Sequence, residues 1–493
     1  MTMLSPALVS SASAQAAQDL ACGAVLTQDT VLANDLGPCP GNGLTISAKD
    51  VTLNLNGHKV FGALNSYGTG PPADSVGIHL DGATDSTVLN GEVSGFAAGV
   101  RIDNGQGNTV TRLNVHDNIS PIGGNNNGDG VSVWNSSYND ITHNVVTHNG
   151  QYSGITLVTG PYTVTNGVVS PAMSGTGNKI LDNQVADNNV ALCGSTTCTP
   201  AATGVAVPLG SQMPGIVDEG IRVEGPNMTN TDVERNVVTD TGNNGILVDA
   251  SCHDAFLVPL TQVTCTGDVG NINTLVKDNT SNHNGYGRTQ GFGINLFGMG
   301  VSKAVQASFE TVVGNTTEYN KDSGIILYST RAGPRGPGLW STPGSCNDYP
   351  PNSTVLCAAT DDTVIHNTSS FNGLTLPGNT GQGDGIELSP GADRNTVSHN
   401  TVNGNGSDGI GVEMAQLYDP SHHPVFGSNG LPVYVPGTGA SNNVLVSNKG
   451  TGNRYFDAED QNPGCGTNDW SHNSFRTVSQ PCVLDWRPAD ASN

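Results

Sequence analysis

Positive charge is what this sequence has least of: 18 Lys and Arg stand against 42 Asp and Glu, for a formal net charge of −24. Nucleic acid is excluded as a partner, because neutralising phosphates takes clustered Lys and Arg. Polyanionic sugars are repelled as well unless a divalent cation bridges them. Aromatic residues make up 5% and hydrophobic residues 35% of the chain, too little for an ordinary layered globule. No stretch sustains an apolar stripe at i, i+3, i+4, so helix is nearly absent. No segment is apolar over enough length to span a membrane. No C-x-x-C pair occurs, which argues against zinc for the ten cysteines.

What is present in excess is a repeated phrase, roughly T-V-x-x-N. It closes on Asn114, Asn144, Asn183, Asn236, Asn279, Asn315, Asn367, Asn400, Asn448 and Asn473. In most copies a second Asn follows, usually five residues on, and the phrase then runs into Gly-Ile-x-hydrophobic or Gly-Val. Ten copies cannot be ten active sites; they are coils of a solenoid. The period is two dozen residues: Val131 to Ile155 is 24, Ile221 to Ile246 is 25 and Ile386 to Ile410 is 24. Short alternating runs of Val, Ile and Thr between Gly, Asn and Asp turns read as three strands per coil, stacked in parallel at roughly 4.8 Å. The expected fold is all-β, a single right-handed parallel β-helix of about ten to twelve coils with long disulfide-stapled loops. The asparagines then serve as buried amide ladders. The histidines before them (His143, His366, His399, His472) read as turn-surface residues, with only His366 and His399 as stack neighbours.

The cysteines fall into five local pairs: Cys22 with Cys39, Cys193 with Cys198, Cys252 with Cys265, Cys346 with Cys357, and Cys465 with Cys482. Read as disulfides they place the chain in an oxidising, secreted setting. Ala14-Gln15-Ala16 ends a small-residue N-terminal run in a cleavage-like pattern, although no basic residue precedes Lys49. The expected organisation is a signal-peptide remnant over 1–18, a cap and first coil over 19–60, the β-helix over 61–480 and a tail over 481–493.

The phrase Val51-Thr52-Leu53-Asn54-Leu55-Asn56-Gly57-His58, with the repeats that follow it, resembles right-handed β-helix repeat proteins of the pectin-lyase-like superfamily. The resemblance covers most of residues 40–480 and implies the fold. It leaves activity open, since that superfamily includes lyases, hydrolases, epimerases and non-catalytic members. Its sharper motifs are missing. The Asp-Gly-Ile phrases resemble part of a polygalacturonase strand, but Gly-His-Gly and Arg-Ile-Lys are absent, as is the Trp-Ile-Asp-His phrase of pectate lyases.

If Gly-Ile-x-hydrophobic-x is one strand per coil, the x positions form two outward columns. The first reads His79, Arg101, Ser132, Thr156, Arg222, Leu247, Asn295, Ile326, Glu387, Gly411. The second reads Asp81, Asp103, Trp134, Val158, Glu224, Asp249, Phe297, Tyr328, Ser389, Glu413. Glu224 and Asp249 fall on successive coils beside Arg222, roughly 5 Å apart, a separation suited to paired acid and nucleophile or base roles in a glycosidase. Trp134, Phe297 and Tyr328, with Asn295 and Glu219, are the candidate sugar-binding residues, because flat aromatic faces suit sugar rings. The loops at 189–217, 250–270 and 329–361 could wall this cleft. Asp384 and Asp408, each before Gly-Ile, form a second acidic cluster that admits calcium, catalysis or ordinary Asp-Gly turn chemistry.

These residues point to a secreted enzyme acting on a polysaccharide. A glycoside hydrolase is favoured over a lyase, which needs cations or calcium to neutralise a uronate. No cofactor is required, with calcium the possible exception. The alternative is a non-catalytic β-helix binding or structural protein, for which the column acids should be separated or salt-bridged. Monomer and trimer stay open.

Overall fold

The computed structural model describes residues 16–63, 74–120, 128–150, 152–159, 162–165, 168–171, 174–188, 190–192, 212–214, 219–225, 227–249, 264–265, 271–285, 291–298, 307–329, 359–374, 383–414, 425–428, 433–434 and 437–484. Within them the chain winds into a right-handed parallel β-helix. One coil shows the plan. Ile386–Leu388 lies in the first sheet, Thr396–Ser398 and Thr401–Asn403 form two arms of the second, and Ile410–Val412 returns beside Ile386–Leu388. The first sheet has 13 strands and the second 24. Thirteen strands slightly exceed the ten to twelve coils expected from the phrase, because the first strands, Ala24–Leu26 and Leu44–Ile46, lack the T-V-x-x-N signature.

Inside each strand the alternation does the packing. In Ile221–Glu224, Ile221 and Val223 are fully buried while Arg222 faces outward. Stacked coils repeat this, so Ile155, Ile221, Ile246 and Ile294 form one continuous buried column. Each such side chain contributes about 1.5–3 kcal/mol of burial free energy.

The asparagines satisfy the bends between the two arms. Asn183 Oδ1 accepts from both the backbone N (2.9 Å) and Nδ2 (3.0 Å) of Asn144, while Asn183 Nδ2 donates to the Ile141 carbonyl at 2.8 Å. The pattern continues through Asn236, Asn279, Asn315, Asn367, Asn400, Asn448 and Asn473. A second ladder runs through Asn149 and Asn188 and, after Thr241, whose Oγ1 donates to Asn284 Oδ1, through Asn284, Asn320, Asn372, Asn405 and Asn453. The residues before the first ladder hold positive φ, as at His143, Asp182, Arg235, Asp278, His366, His399 and His472. His143, His366, His399 and His472 are exposed, and the His366 and His399 rings lie 5.0 Å apart.

Disulfides Cys22–Cys39 and Cys465–Cys482 close the two ends of the stack, and such bonds belong to an oxidising compartment. Cys193, Cys198, Cys252, Cys346, Cys357 and the Cys265 side chain lie outside the described residues. Among the described residues no helix is long and apolar enough to cross a membrane.

Candidate functional site

The outward columns of the first sheet fall in the register the repeat predicts. Arg101 pairs with Ser132, Thr156 with Arg222, Arg222 with Leu247, Leu247 with Asn295 and Ile326 with Glu387. In the second column Trp134 pairs with Val158, Val158 with Glu224, Glu224 with Asp249, Asp249 with Phe297 and Phe297 with Tyr328. One further strand, Ala458–Asp460, extends the first column from Gly411 to Glu459.

Glu224 and Asp249 therefore do lie on adjacent strands, but not as free carboxyl groups. Arg222 Nε stands 2.7 Å from Glu224 Oε2, its Nη1 3.3 Å from Glu219 Oε2 and its Nη2 4.0 Å from Asp249 Oδ2. The guanidinium also lies over the Tyr152 ring at 4.6 Å, and the Tyr152 hydroxyl reaches Glu224 Oε2 at 3.4 Å. Asn244 Nδ2 donates to Glu219 Oε1 at 3.1 Å. Glu219, Glu224 and Asp249 are 2%, 7% and 5% exposed, so this is a buried ion-paired network. The loops 189–217 and 250–270, expected to wall it, lie almost wholly outside the described residues, as does most of 329–361.

The aromatic residues divide. Phe297 and Tyr328 stack with centroids 5.0 Å apart, forming a two-ring platform on the second column. Trp134 instead packs under Arg101, whose guanidinium lies 4.9 Å from its centroid, while Arg101 Nε and His79 Nε2 both contact Asp103 Oδ2 at 2.8 and 2.7 Å. Asn295 is buried, and its Oδ1 has no hydrogen-bond partner among the described residues.

Beyond Tyr328 the face becomes wholly acidic. Glu387 and Glu459 project from strands on either side of Ile410–Val412, both opposite Gly411, and Glu413 follows that middle strand. Ser323 Oγ donates to Glu387 Oε2 at 2.6 Å and Ser389 Oγ to Oε1 at 3.2 Å, so both carboxyl oxygens are held. Burial, then Glu387, Glu459, Asp408 and Asp322, push Glu413 well above the ordinary carboxylate range. Burial and then Glu387 raise Asp322 to about 8. Burial, then Glu387 and Glu413, raise the Tyr328 phenol. Glu387 and Glu459 are raised as well, by burial first.

Asp384 and Asp408 join this group from the turn before the sheet. Asp384 Oδ1 accepts the Asp408 backbone N–H at 2.9 Å, and Asp408 Oδ1 accepts that of Phe456 at 2.7 Å. Each carboxyl thus caps the next coil. Asp129 plays the same part for Ser153 at 3.1 Å, and burial raises it to about 6. Burial, then Asp408 and Glu387, raise Asp384; burial, then Glu459, raise Asp408 to about 7. Among the described residues no three His, Cys, Asp or Glu side chains converge as a metal site.

The sequence reading missed Tyr152, Asp322 and Glu459. Asp322 stands two residues ahead of Gly324-Ile325, and Glu459 follows a turn where Asp457-Ala458 replaces Gly-Ile, so neither falls in the counted phrase.

A family model described as a right handed beta helix region matches residues 46–263. No curated protein matches the sequence. Among solved structures, the chain is similar to the A-module of an Azotobacter vinelandii mannuronan C-5 epimerase, at 11% identity and a TM-score of 0.45, over 93% of this chain and 91% of that one. It is similar to the Dettilon tailspike protein at 14% identity and a TM-score of 0.42, over 91% of this chain and 60% of that one. It is also similar to the catalytic domain of an alpha-1,3-glucanase at 14% identity and a TM-score of 0.43, over 94% of this chain and 62% of that one. At these values the likenesses assign no chemistry.

Proposed function

The chain is a right-handed parallel β-helix protein, the fold of the pectin-lyase-like superfamily it resembles, and we propose that it is a secreted carbohydrate-active enzyme that hydrolyses glycosidic bonds. The observation that carries this reading is the crowding of Glu387 with Glu413, which lies one residue past the strand paired with that of Glu387, where both act on Tyr328 of the stacked Phe297–Tyr328 platform. Glycoside hydrolysis needs one carboxyl group to protonate the leaving oxygen and one to act as nucleophile or base. Crowded carboxyl groups separate those roles by keeping some protonated.

Glu413 is the proton donor: its neighbours are acids, and they hold its proton. Glu387 is the nucleophile or base, since two serine hydroxyls donate to its oxygens and orient it. Asp408, Asp322 and Glu459 keep the acid charged with its proton, and Glu413 in turn raises Asp384. Phe297 and Tyr328 supply the sugar platform. Glu224 and Asp249 are the alternative acid pair, and their buried ion contacts with Arg222 argue against their acting as free acid and base. A lyase is less well supported, because a uronate carboxylate would enter a face of crowded acids, where Lys321 acts on Asp322 and the other acids are raised by burial and by one another. Calcium at Asp384 and Asp408 is not needed, since their carboxyl groups already cap backbone amides.

The test is product release from a panel of neutral, amino-sugar and uronate polysaccharides, with and without calcium. New reducing ends without ultraviolet absorbance support hydrolysis. Absorbance from an unsaturated product makes the enzyme a lyase. Binding without product supports the non-catalytic alternative, which the Arg222 ion pairs specifically favour.

A further inference from the structure

A third interior ladder carries carboxylic acids at two coils. Backbone hydrogen bonds place Asn108, Asn139, Asn178, Thr231, Thr274, Glu310, Asp362, Asn395 and Asn443 at one equivalent turn position. Where asparagines occupy it, Oδ1 accepts the backbone N–H of the preceding coil and Nδ2 donates to a carbonyl there. Asn395 shows both, accepting from Asp362 N at 2.9 Å and donating to the Ala359 carbonyl at 3.1 Å. Asn443 repeats the pattern, accepting from Asn395 N at 2.8 Å and donating to the Ala392 carbonyl at 2.9 Å.

Asp362 keeps half of that pattern. Its Oδ1 accepts the Glu310 backbone N–H at 3.0 Å. Its Oδ2 replaces the asparagine donor with an oxygen and has no partner among the described residues, nor do Glu310 Oε1 and Oε2. Glu310 is 0% and Asp362 1% exposed. An unpaired carboxylate at such a place is among the costliest groups a fold can bury. A carboxylic acid is not: its O–H donates where the asparagine N–H₂ did. The charged neighbours give no rescue. Asp362 faces Glu310 and Asp361, Glu310 faces Asp362, and the nearby, exposed Arg394 is engaged by the half-buried Asp361 at 2.7 Å.

We infer that the Glu310–Asp362 pair is a protonated rung standing in for an asparagine rung, and that losing its proton opens the solenoid there. The joint is placed to matter. The Glu310 coil continues into the strand of Tyr328 and the Asp362 coil into that of Glu387, so both run under the acidic face. The inference does not depend on the proposed activity, since it concerns folding alone.

The sign follows from linkage. The folded chain binds a proton that the unfolded chain releases at about pH 4, so stability is full below that and falls as pH rises. Equilibrium unfolding of the full chain at several pH values, beside Asp362→Asn and the double variant Glu310→Gln with Asp362→Asn, reads this directly. The wild-type folding constant should fall about tenfold more steeply per pH unit, for each proton held, than that of the double variant. Parallel slopes would overturn the inference. Hydrogen exchange in the unmodified protein gives a readout that needs no variant. After correction for intrinsic rate, the Glu310 amide should lose protection with rising pH while the Asn108 and Asn139 amides keep theirs; uniform loss would overturn it as well.

Discussion

The carboxyl group of Asp384 occupies the space that a side chain at Gly411 would fill: a Cβ built there collides with Asp384 Oδ2. Gly411 is the one outward position of that strand between Glu387 and Glu459. Its missing side chain lets an acid from the preceding turn lie over the sheet among the others. Gly411→Ala should displace Asp384 and cut turnover at least tenfold, at a stability cost of about 1–3 kcal/mol. Initial rates beside a thermal melt check this; unchanged turnover would remove Asp384 from the account.

Arg222 binds three buried carboxyl groups, so its loss leaves them without a counter-charge. Arg222→Met should destabilise the fold by about 3–5 kcal/mol, read by denaturant titration. Arg222→Lys should recover little, because an ammonium cannot meet Glu219 and Glu224 together while lying flat on Tyr152. Full rescue by Lys would show that charge alone matters.

The acidic face should make both stability and activity fall on the alkaline side. Asp408, raised to about 7, and Asp322, raised to about 8, are carboxyl groups whose folded values exceed their unfolded ones. Each contributes stability that is complete at low pH and is lost as pH rises through its folded value. Melting temperature should therefore decline as pH rises from about 4, where the unfolded carboxyl groups release their protons, to the folded values of Asp408 and Asp322, and turnover should fall as pH rises through the raised value of Glu413. A flat profile over that range would contradict both.

Much of this was legible in the repeat. Counting from each Gly-Ile turn placed Glu224 opposite Asp249 and Phe297 opposite Tyr328, because a buried Ile column tolerates no one-residue slip. What counting could not reach was side-chain choice. Arg222 alternates outward like any column residue, yet which acid it meets depends on rotamer and on Tyr152, which precedes its own Gly-Ile turn. Asp384 and Asp408 read equally as turn, metal or catalytic residues until their bonds to the next coil were placed. The third ladder was hidden because its occupant changes from Asn to Thr to Glu and Asp, erasing the phrase that marked the other two.

The amide ladders set a stability prediction of their own. Asn279 is 1% exposed; its Oδ1 accepts from Asn236 N and Nδ2, and its Nδ2 donates to Asn315 and to the Val233 carbonyl. Asn279→Ala should cost about 2–4 kcal/mol, since net bonds of about 1 kcal/mol are lost and buried partners stay unpaired. Asn279→Asp should cost more at neutral pH than at acid pH, for the reason argued at Asp362. Denaturant midpoints at two pH values decide it.

The claim at the centre is that the acid chemistry sits at Glu387 and Glu413 and not at Glu224 and Asp249. It is tested most directly by comparing turnover of wild type, Glu413→Gln, Glu387→Gln and Glu224→Gln on a cleaved polysaccharide, with circular dichroism confirming each fold. The account predicts a loss of at least a hundredfold for the first two variants and a smaller loss for Glu224→Gln. Near-normal turnover in Glu387→Gln and Glu413→Gln, with activity abolished in a folded Glu224→Gln, would contradict it and return the reaction to the Arg222 network.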